Sequence, residues 1–234
     1  MATGERILQI GGKHLKEKYV LGALAPKNNS KWTGPWDCAE FASWCVFQAA
    51  EILYGCGNNG SNPASADAFT GFWQRDSKKL GKRVSVEIAA QTPGAMVLRF
   101  PQPGLIGHIV ISDGKGGTVE AHSTKRGVIK NQISGRRWDT GVLVPGIEYT
   151  QNTNAPKIAP PILVFRLTDP MMTGKKVKEI QSKLKAGGFN PGKIDGVYGP
   201  QTIAAVNAFQ IAEGLVSDGE VGPDTAAALG IELP

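Results

Sequence analysis

Cys38 stands where a cysteine could serve as a nucleophile. Asp37 before it is a good helix N-cap, and Glu40 three positions later completes the Asp-x-x-Glu form of a capping box. Gly34 and Pro35 keep the preceding chain out of the helix. An apolar stripe follows at helical spacing (Phe41, Ala42, Cys45, Val46, Ala49, Ile52, Leu53), and Gly55 and Gly57 stop it. Cys38 therefore falls in the first turn, where unpaired backbone N–H groups and the helix dipole favour a thiolate. Such a thiol needs an imidazole brought to it from later in the chain. Strand alternation puts His108, Val110 and Ser112 on one face, with Ile109 and Ile111 opposite. On the next strand Glu120 and His122 share a face, so His108 can lie beside either. Either would fix its tautomer and orientation. The plain readings stand beside these. Cys45 reads as a small core residue of the stripe, a histidine on a strand is commonly just half-buried and satisfied, and His14 is given no role.

The elements that would position these groups are readable in outline. Residues 1–20 read as a helix with a loose apolar face, interrupted by Gly11-Gly12, and 22–36 as a loop. After the Cys38 helix comes a Gly/Asn/Ser/Pro-rich loop over 55–65, then a helix over 66–80 ending in a basic cluster. From Ala95 the period becomes that of strands: 95–100, 107–112, 118–123, 127–130 and 141–144, with a hairpin-type turn at 113–117. Helices followed by an antiparallel meander imply an α+β domain over 1–149. Residues 150–161 are polar and Pro-rich, the composition of a semi-rigid linker. In the remaining stretch, 162–234, Ile194–Thr202 reappears as Ser217–Thr225, 23 positions on. Each copy is an Asp-Gly turn, a Gly-Pro helix start and an apolar helix. With the helix carrying Val177, Ile180, Gln181 and Leu184, they make a small three-helix domain.

Bulk properties narrow the function. Three cysteines are too few for a disulfide framework, and His14, His108 and His122 lack a zinc-ligand spacing, so neither metal nor organic cofactor is expected. No stretch is apolar enough to span a membrane, so no membrane insertion is expected. The start, Met1–Arg6, lacks the pattern of a secretory signal. The expectation is synthesis in the cytoplasm and release by another route, or a leader already removed. The net charge of +6 is uneven. From Met171 onward six Lys face seven Asp and Glu, whereas the rest carries 20 basic and 13 acidic residues. The N-terminal part should be drawn to a polyanion. No nucleic-acid-reading motif is present, and an anionic cell wall fits the charge.

The residues resemble a known family. Asp37-Cys38-Ala39-Glu40-Phe41-Ala42 is similar to the nucleophile helix of NlpC-type papain-like cysteine peptidases, commonly Asp-Cys-Ser-Gly-Phe-Val. Pro93-Gly94-Ala95-Met96-Val97 resembles their Pro-Gly-Asp-Leu-Val, and Gly107-His108-Ile109-Val110-Ile111 their His-Val-Gly-Ile-Tyr strand. The likeness covers roughly residues 5–145. The family's third residue is often a second histidine. Counted from His108 that position is Glu120, with His122 as the alternative, and a carboxylate there is similar to the related CHAP amidases. Ala39-Glu40 departs from the usual Ser-Gly, so substrate preference does not carry over. Residues 162–234 resemble the three-helix peptidoglycan-binding domain through Ile180-Gln181, Gly188-Phe189, Asp195–Thr202 and Ala208-Phe209-Gln210.

Together the resemblances imply a monomeric peptidoglycan hydrolase cutting a stem-peptide amide, either an endopeptidase or an N-acetylmuramoyl-L-alanine amidase. Cys38, His108 and Glu120 would carry the chemistry. Asp37, Trp36, Trp73 and Trp138 would face the substrate, with Trp44 as readily a core residue. The enzyme would act in the periplasm or wall, as a phage lysin or as an antibacterial effector that requires an immunity protein. The alternatives are a catalytically inactive wall-binding protein and a papain-like acyltransferase.

Overall fold

The computed structural model describes residues 1–102, 105–155 and 163–234. The chain divides into two compact units. One is Met1–Ser134 with Trp138–Ala159, and the other is Gly135–Arg137 with Pro160–Pro234. Most of the linker expected over 150–161 lies outside the described residues, which resume at 163.

The first unit opens with α1 (Gly4–Gly11), capped by the Thr3 hydroxyl, and a 3-10 turn over Gly12–His14. The helix expected over 1–20 thus ends early. Lys16 takes a positive φ of 73°, and Lys16 and Glu17 exchange backbone hydrogen bonds with Val128 instead. Helix α2 (Cys38–Ala50) stops short of Leu53, at a left-handed Glu51. Every residue from Cys38 to Val46 is buried, so α2 is a central helix rather than a one-faced one. Helix α3 (Thr70–Lys79) starts four residues later than the periodicity suggests. Ala66 and Ala68 cannot join it, because their carbonyl and amide are engaged by side chains from elsewhere.

Two elements lack a clear sequence signal: the two-residue β1 (Arg83–Val84) and the short α4 (Val86–Ala90). The remaining strands are β2 (Met96–Arg99), β3 (His108–Ser112), β4 (Gly117–Ser123), β5 (Gly127–Gln132) and β6 (Thr140–Val142). They form one antiparallel sheet in the order β1-β6-β2-β3-β4-β5. Leu98, Ile109, Ile111 and Val119 share a core with the α1 and α2 side chains. On the opposite face Val97 and Val110 pack with Ala89 and Ala90 of α4. Strands β2, β3 and β4 are therefore buried on both faces, which accounts for the apolar runs of β2 and β3, whereas β4 buries polar side chains on one face.

Two motif glycines have steric reasons. At Gly94, with φ +76°, a Cβ would stand 1.9 Å from the Gly4 carbonyl oxygen. At Gly107 a Cβ would stand 2.6 Å from both the Arg99 carbonyl oxygen and the Thr70 hydroxyl. Only glycine lets the start of β3 pass between β2 and the start of α3.

The second unit contains α5 (Lys175–Ala186), α6 (Pro200–Ala212) and α7 (Pro223–Leu229) around Val177, Ile180, Leu184, Tyr198, Val206 and Val221. Pro200 and Pro223 open their helices, as the Gly-Pro repeat predicts. The repeat is also a repeat of hydrogen bonds. The Gln181 amide donates to Asp195 Oδ1, the Val197 carbonyl and Thr202 Oγ1, and accepts from the Gly196 N–H. The Gln210 amide donates to Asp218 Oδ1, the Glu220 carbonyl and Thr225 Oγ1, and accepts from the Asp218 and Gly219 N–H groups. Each Asp-Gly turn is thus tied to the helix before it by one buried glutamine.

Candidate active site

Cys38 is the first residue of α2 and is 7% exposed. Asp37 has the extended backbone of an N-cap, and its Oδ1 accepts the Glu40 N–H at 2.8 Å. Cys38 lies close enough to the opening of β3 that the N–H of Ile109, the residue after His108, favours its ionised form, as does the N–H of Ala39. Its protonation differs from the sequence expectation. Burial, then the Asp37 charge, push it up to about 12, against the pull of the Ile109 N–H, the Arg99 guanidinium and the Ala39 N–H. A helix N-terminus does favour the thiolate, but desolvation is the larger effect here. Asp37 itself is pushed up to about 7, mainly by burial, against backbone N–H donors that include Gly22.

His108 opens β3 on the Val110 face of the sheet, away from the core that Ile109 shares with α2. The His108 Nε2 lies 2.6 Å from Glu120 Oε2, and both side chains are almost fully buried. The Thr118 hydroxyl donates to the other Glu120 oxygen at 2.8 Å, which fixes the carboxylate in turn. Strand β4 supplies both groups two residues apart, on one face. His122 presents an edge to the His108 ring at 6.0 Å, and its Nδ1 pairs with the Ser123 hydroxyl at 3.0 Å. Glu120, one of the two orienting candidates, is in hydrogen-bond contact with His108. Trp138 stacks on the His108 ring at 6.1 Å and 28°, held by its own N–H to the Ile133 carbonyl.

The other expected substrate-facing tryptophans lie elsewhere. Trp36 is fully buried, edge-on to His14, Phe41 and Trp44, with its N–H on Glu17 Oε2 at 2.6 Å. Trp73 is also fully buried and donates to the Ser43 hydroxyl. Neither has surface to offer a groove. Both rings fill core volume between α2 and its neighbours, which sequence spacing alone could not distinguish from exposure. Trp44 is core as well. His14, given no role, anchors this aromatic group through both oxygens of Glu17 at 2.9 Å. Two residues near the thiol carried no signal by themselves. Arg99 pairs with His108 across β2 and β3, and Tyr19, whose hydroxyl is held protonated by burial and then by Cys38 and Asp37, bridges to Trp36.

The first unit is thus an α+β unit with a cysteine opening a helix and a histidine–carboxylate pair on its antiparallel sheet. A helical unit follows, in which residues 173–229 match the family described as "Putative peptidoglycan binding domain". Among curated proteins the chain is similar to the N-acetylmuramoyl-L-alanine amidase CwlL of Bacillus licheniformis. The two are 34% identical over 120 residues, 47% of this chain and 33% of that protein. It is also similar to the N-acetylmuramoyl-L-alanine amidase CwlA of Bacillus subtilis, at 46% over 77 residues, 30% of this chain and 28% of that protein. The chain thus spans a third or less of the length of these relatives. Among solved structures, the NlpC/p60 domain of the peptidoglycan hydrolase SagA aligns with a TM-score of 0.43 and 19% identity, over 61% of this chain and 99% of that one. Among the described residues, all three cysteines are free, no group of three or more His, Cys, Asp or Glu side chains could hold a metal ion, and no helix is long and apolar enough to cross a membrane.

Proposed function

We propose that this protein is a peptidoglycan hydrolase that cleaves an amide of the stem peptide through Cys38 and His108. The observation that carries the reading is the buried His108–Glu120 pair at 2.6 Å at the opening of the strand whose Ile109 N–H acts on Cys38. Because the resting thiol is neutral, His108 acts as a general base, taking the proton as sulfur attacks the amide carbonyl. The Cys38 N–H, at the helix start, stabilises the oxyanion. His108 then gives the proton to the departing amine and leaves a thioester. Water, deprotonated by His108, hydrolyses it, so that the carboxylic acid and the thiol are released. Glu120 holds the imidazole tautomer throughout, and Trp138 limits its rotation.

In this reading residues 1–149 are the hydrolase, 150–161 the linker and 162–234 the domain that keeps the enzyme on the wall by raising its local concentration there. The match over 173–229 supports that last assignment. The enzyme would act outside the cytoplasm. The names of the curated relatives make the N-acetylmuramoyl-L-alanine bond the first to examine, ahead of peptide–peptide amides.

The test is digestion of purified sacculi with product identification by liquid chromatography and mass spectrometry. Wild type should release fragments with one new amine and one new carboxyl terminus, and Cys38→Ala should lower the rate by about a thousandfold or more. Retained cleavage in Cys38→Ala, or release of sugar ends instead, would overturn the proposal.

A further inference from the structure

Arg99 has no place in the mechanism, although it ends β2 beside the imidazole that does. The faces of β2 alternate. Met96 and Leu98 join the core shared with α2, and Val97 joins Val110 in the cluster on the other face. Arg99 therefore falls on the Val97 face, the one that carries His108. It stands directly opposite His108 in the β2–β3 register, and such partners hold their Cβ atoms about 4.5–5.5 Å apart. The residue is 8% exposed, so a full positive charge sits where little water reaches.

This rung is fastened on both sides. Gly107 lets the start of β3 run against the Arg99 carbonyl oxygen, which a Cβ there would approach to 2.6 Å. Towards β6, Asp139 donates its N–H to the Leu98 carbonyl at 3.0 Å and accepts the Phe100 N–H on Oδ2 at 2.7 Å. Arg99 lies between these two bonds. Its charge is felt at Cys38 as well, where it favours the thiolate.

Strand β3 runs between β2 and β4, so His108 stands between opposite charges on adjacent strands: Arg99 from β2 and Glu120 from β4. A buried carboxylate at 2.6 Å favours a proton on the ring. An imidazolium could not take a proton from the Cys38 thiol. A like charge on the next strand opposes that protonation. His122, also titratable, stands edge-on to the ring at 6.0 Å, and Trp138, stacked on it, carries no charge.

We propose that Arg99 is a positioning residue that offsets the charge of Glu120, so that His108 is oriented by the carboxylate yet rests unprotonated and able to accept the Cys38 proton. The assignment rests on the Cys38–His108 chemistry proposed above, not on which amide is cut.

The test follows the His108 ring nitrogens by nitrogen-15 NMR against pH in the full chain, with His108→Gln identifying its signals among those of the three histidines. Arg99→Met removes the charge and keeps an unbranched apolar side chain. There the His108 midpoint should rise by about one pH unit, a tenfold gain in proton affinity. Arg99→Lys should stay within about a third of a unit of wild type. The acid limb of kcat/KM on sacculi should move up with the midpoint in Arg99→Met. A merely structural role would cost stability and leave the midpoint where it was. An unmoved midpoint in Arg99→Met, or an equal rise in Arg99→Lys, would overturn the assignment. If Arg99→Met fails to fold, Arg99→Gln takes its place with the same outcomes. Cleavage that is lost in Cys38→Ala, with an unmoved His108 midpoint, would sink the Arg99 assignment alone. A midpoint that rises while the acid limb stays put would show that His108 is not the base, which ends the functional reading and the purpose given to Arg99 with it.

Discussion

The two units fasten their loops to helices by different chemistry. In the first, a buried charge does it: the Glu40 carboxylate gathers two backbone N–H groups and the Lys27 ammonium. In the second, a neutral amide does it twice, through Gln181 and Gln210, each satisfied on both its oxygen and its nitrogen. A glutamine amide can donate and accept at once, so it closes a turn without any ionised partner. A carboxylate accepts only, and burying it requires a cation that must be buried with it. The amide knot is therefore self-contained and repeatable, which suits a unit built from a duplicated turn. The ionic knot reaches across 13 to 28 positions of sequence and ties unlike loops together, which suits a site that must fix several loops around one sulfur.

The comparison can be broken most sharply at Glu40. Glu40→Leu strands the Lys27 ammonium where water cannot reach it and should destabilise the first unit by ~3–5 kcal/mol. Glu40→Leu/Lys27→Leu should recover much of that. All five tryptophans precede residue 139, so the urea midpoint followed by tryptophan fluorescence reads this unit alone. An unchanged midpoint in the single variant would put the ionic knot on a level with a surface pair.

Gln210→Leu is the matching change in the second unit. It leaves the Asp218 and Gly219 N–H groups without their acceptor and should cost ~1–3 kcal/mol locally. The readout is faster amide hydrogen exchange at Gly219, with tryptophan fluorescence unmoved. Wild-type exchange at Gly219 would show that the turn holds without the amide.

The smallest expected effect is in pH dependence. Asp37 is held at about 7 in the folded chain against an ordinary 3.8, mainly by burial, and Glu40 is raised for the same first reason. For each, the folded state binds the proton more tightly than the unfolded one. For Asp37 that stabilisation is complete below 3.8 and lost as pH rises through 7. Asp195 of the second unit is lowered, chiefly by the Gln181 hydrogen bond, so its contribution is present at neutral pH and lost as pH falls through its folded value. Asp37 and Asp195 thus respond to acid with opposite sign. Asp37→Asn, which keeps an N-cap of equal quality, should flatten the decline of the fluorescence-detected urea midpoint between about pH 4 and pH 7. It should also speed Cys38 alkylation near pH 8, since the Asp37 charge no longer opposes the thiolate. A slope identical in the variant would place the pH dependence in another group.

Much of this was legible beforehand because it is local. Asp37 caps α2 because an extended residue with a short carboxylate satisfies the orphan N–H three positions on. Pro200 and Pro223 open helices because their fixed φ suits a first turn. The alternation that placed His108 with Val110, and Glu120 with His122, follows from the two-residue period of a strand. What failed was of another kind. The sequence points to Trp36 and Trp73 as groove residues, because an aromatic's spacing does not say whether solvent reaches it. The sequence presents Glu40 as half of a capping box, because its competitors, Ala25, Lys27 and Ala68, lie 13 to 28 positions away. The periodicity starts helix α3 too early, because Lys27 and Glu40 claim Ala66 and Ala68.

By itself, then, the sequence determined which residues could start a helix, which faces of the strands would hold the imidazole and the carboxylate, and that the last part is a duplicated turn-and-helix. Those features depend on neighbours within a few positions, where backbone geometry leaves few choices. The tertiary structure alone decided that Glu120 lies in hydrogen-bond contact with His108, that Glu40 abandons its own helix for two distant loops, and that burial outweighs the helix dipole at the Cys38 sulfur. Each of those outcomes depends on how much water is excluded and which distant donor arrives first, and neither quantity is written in local spacing.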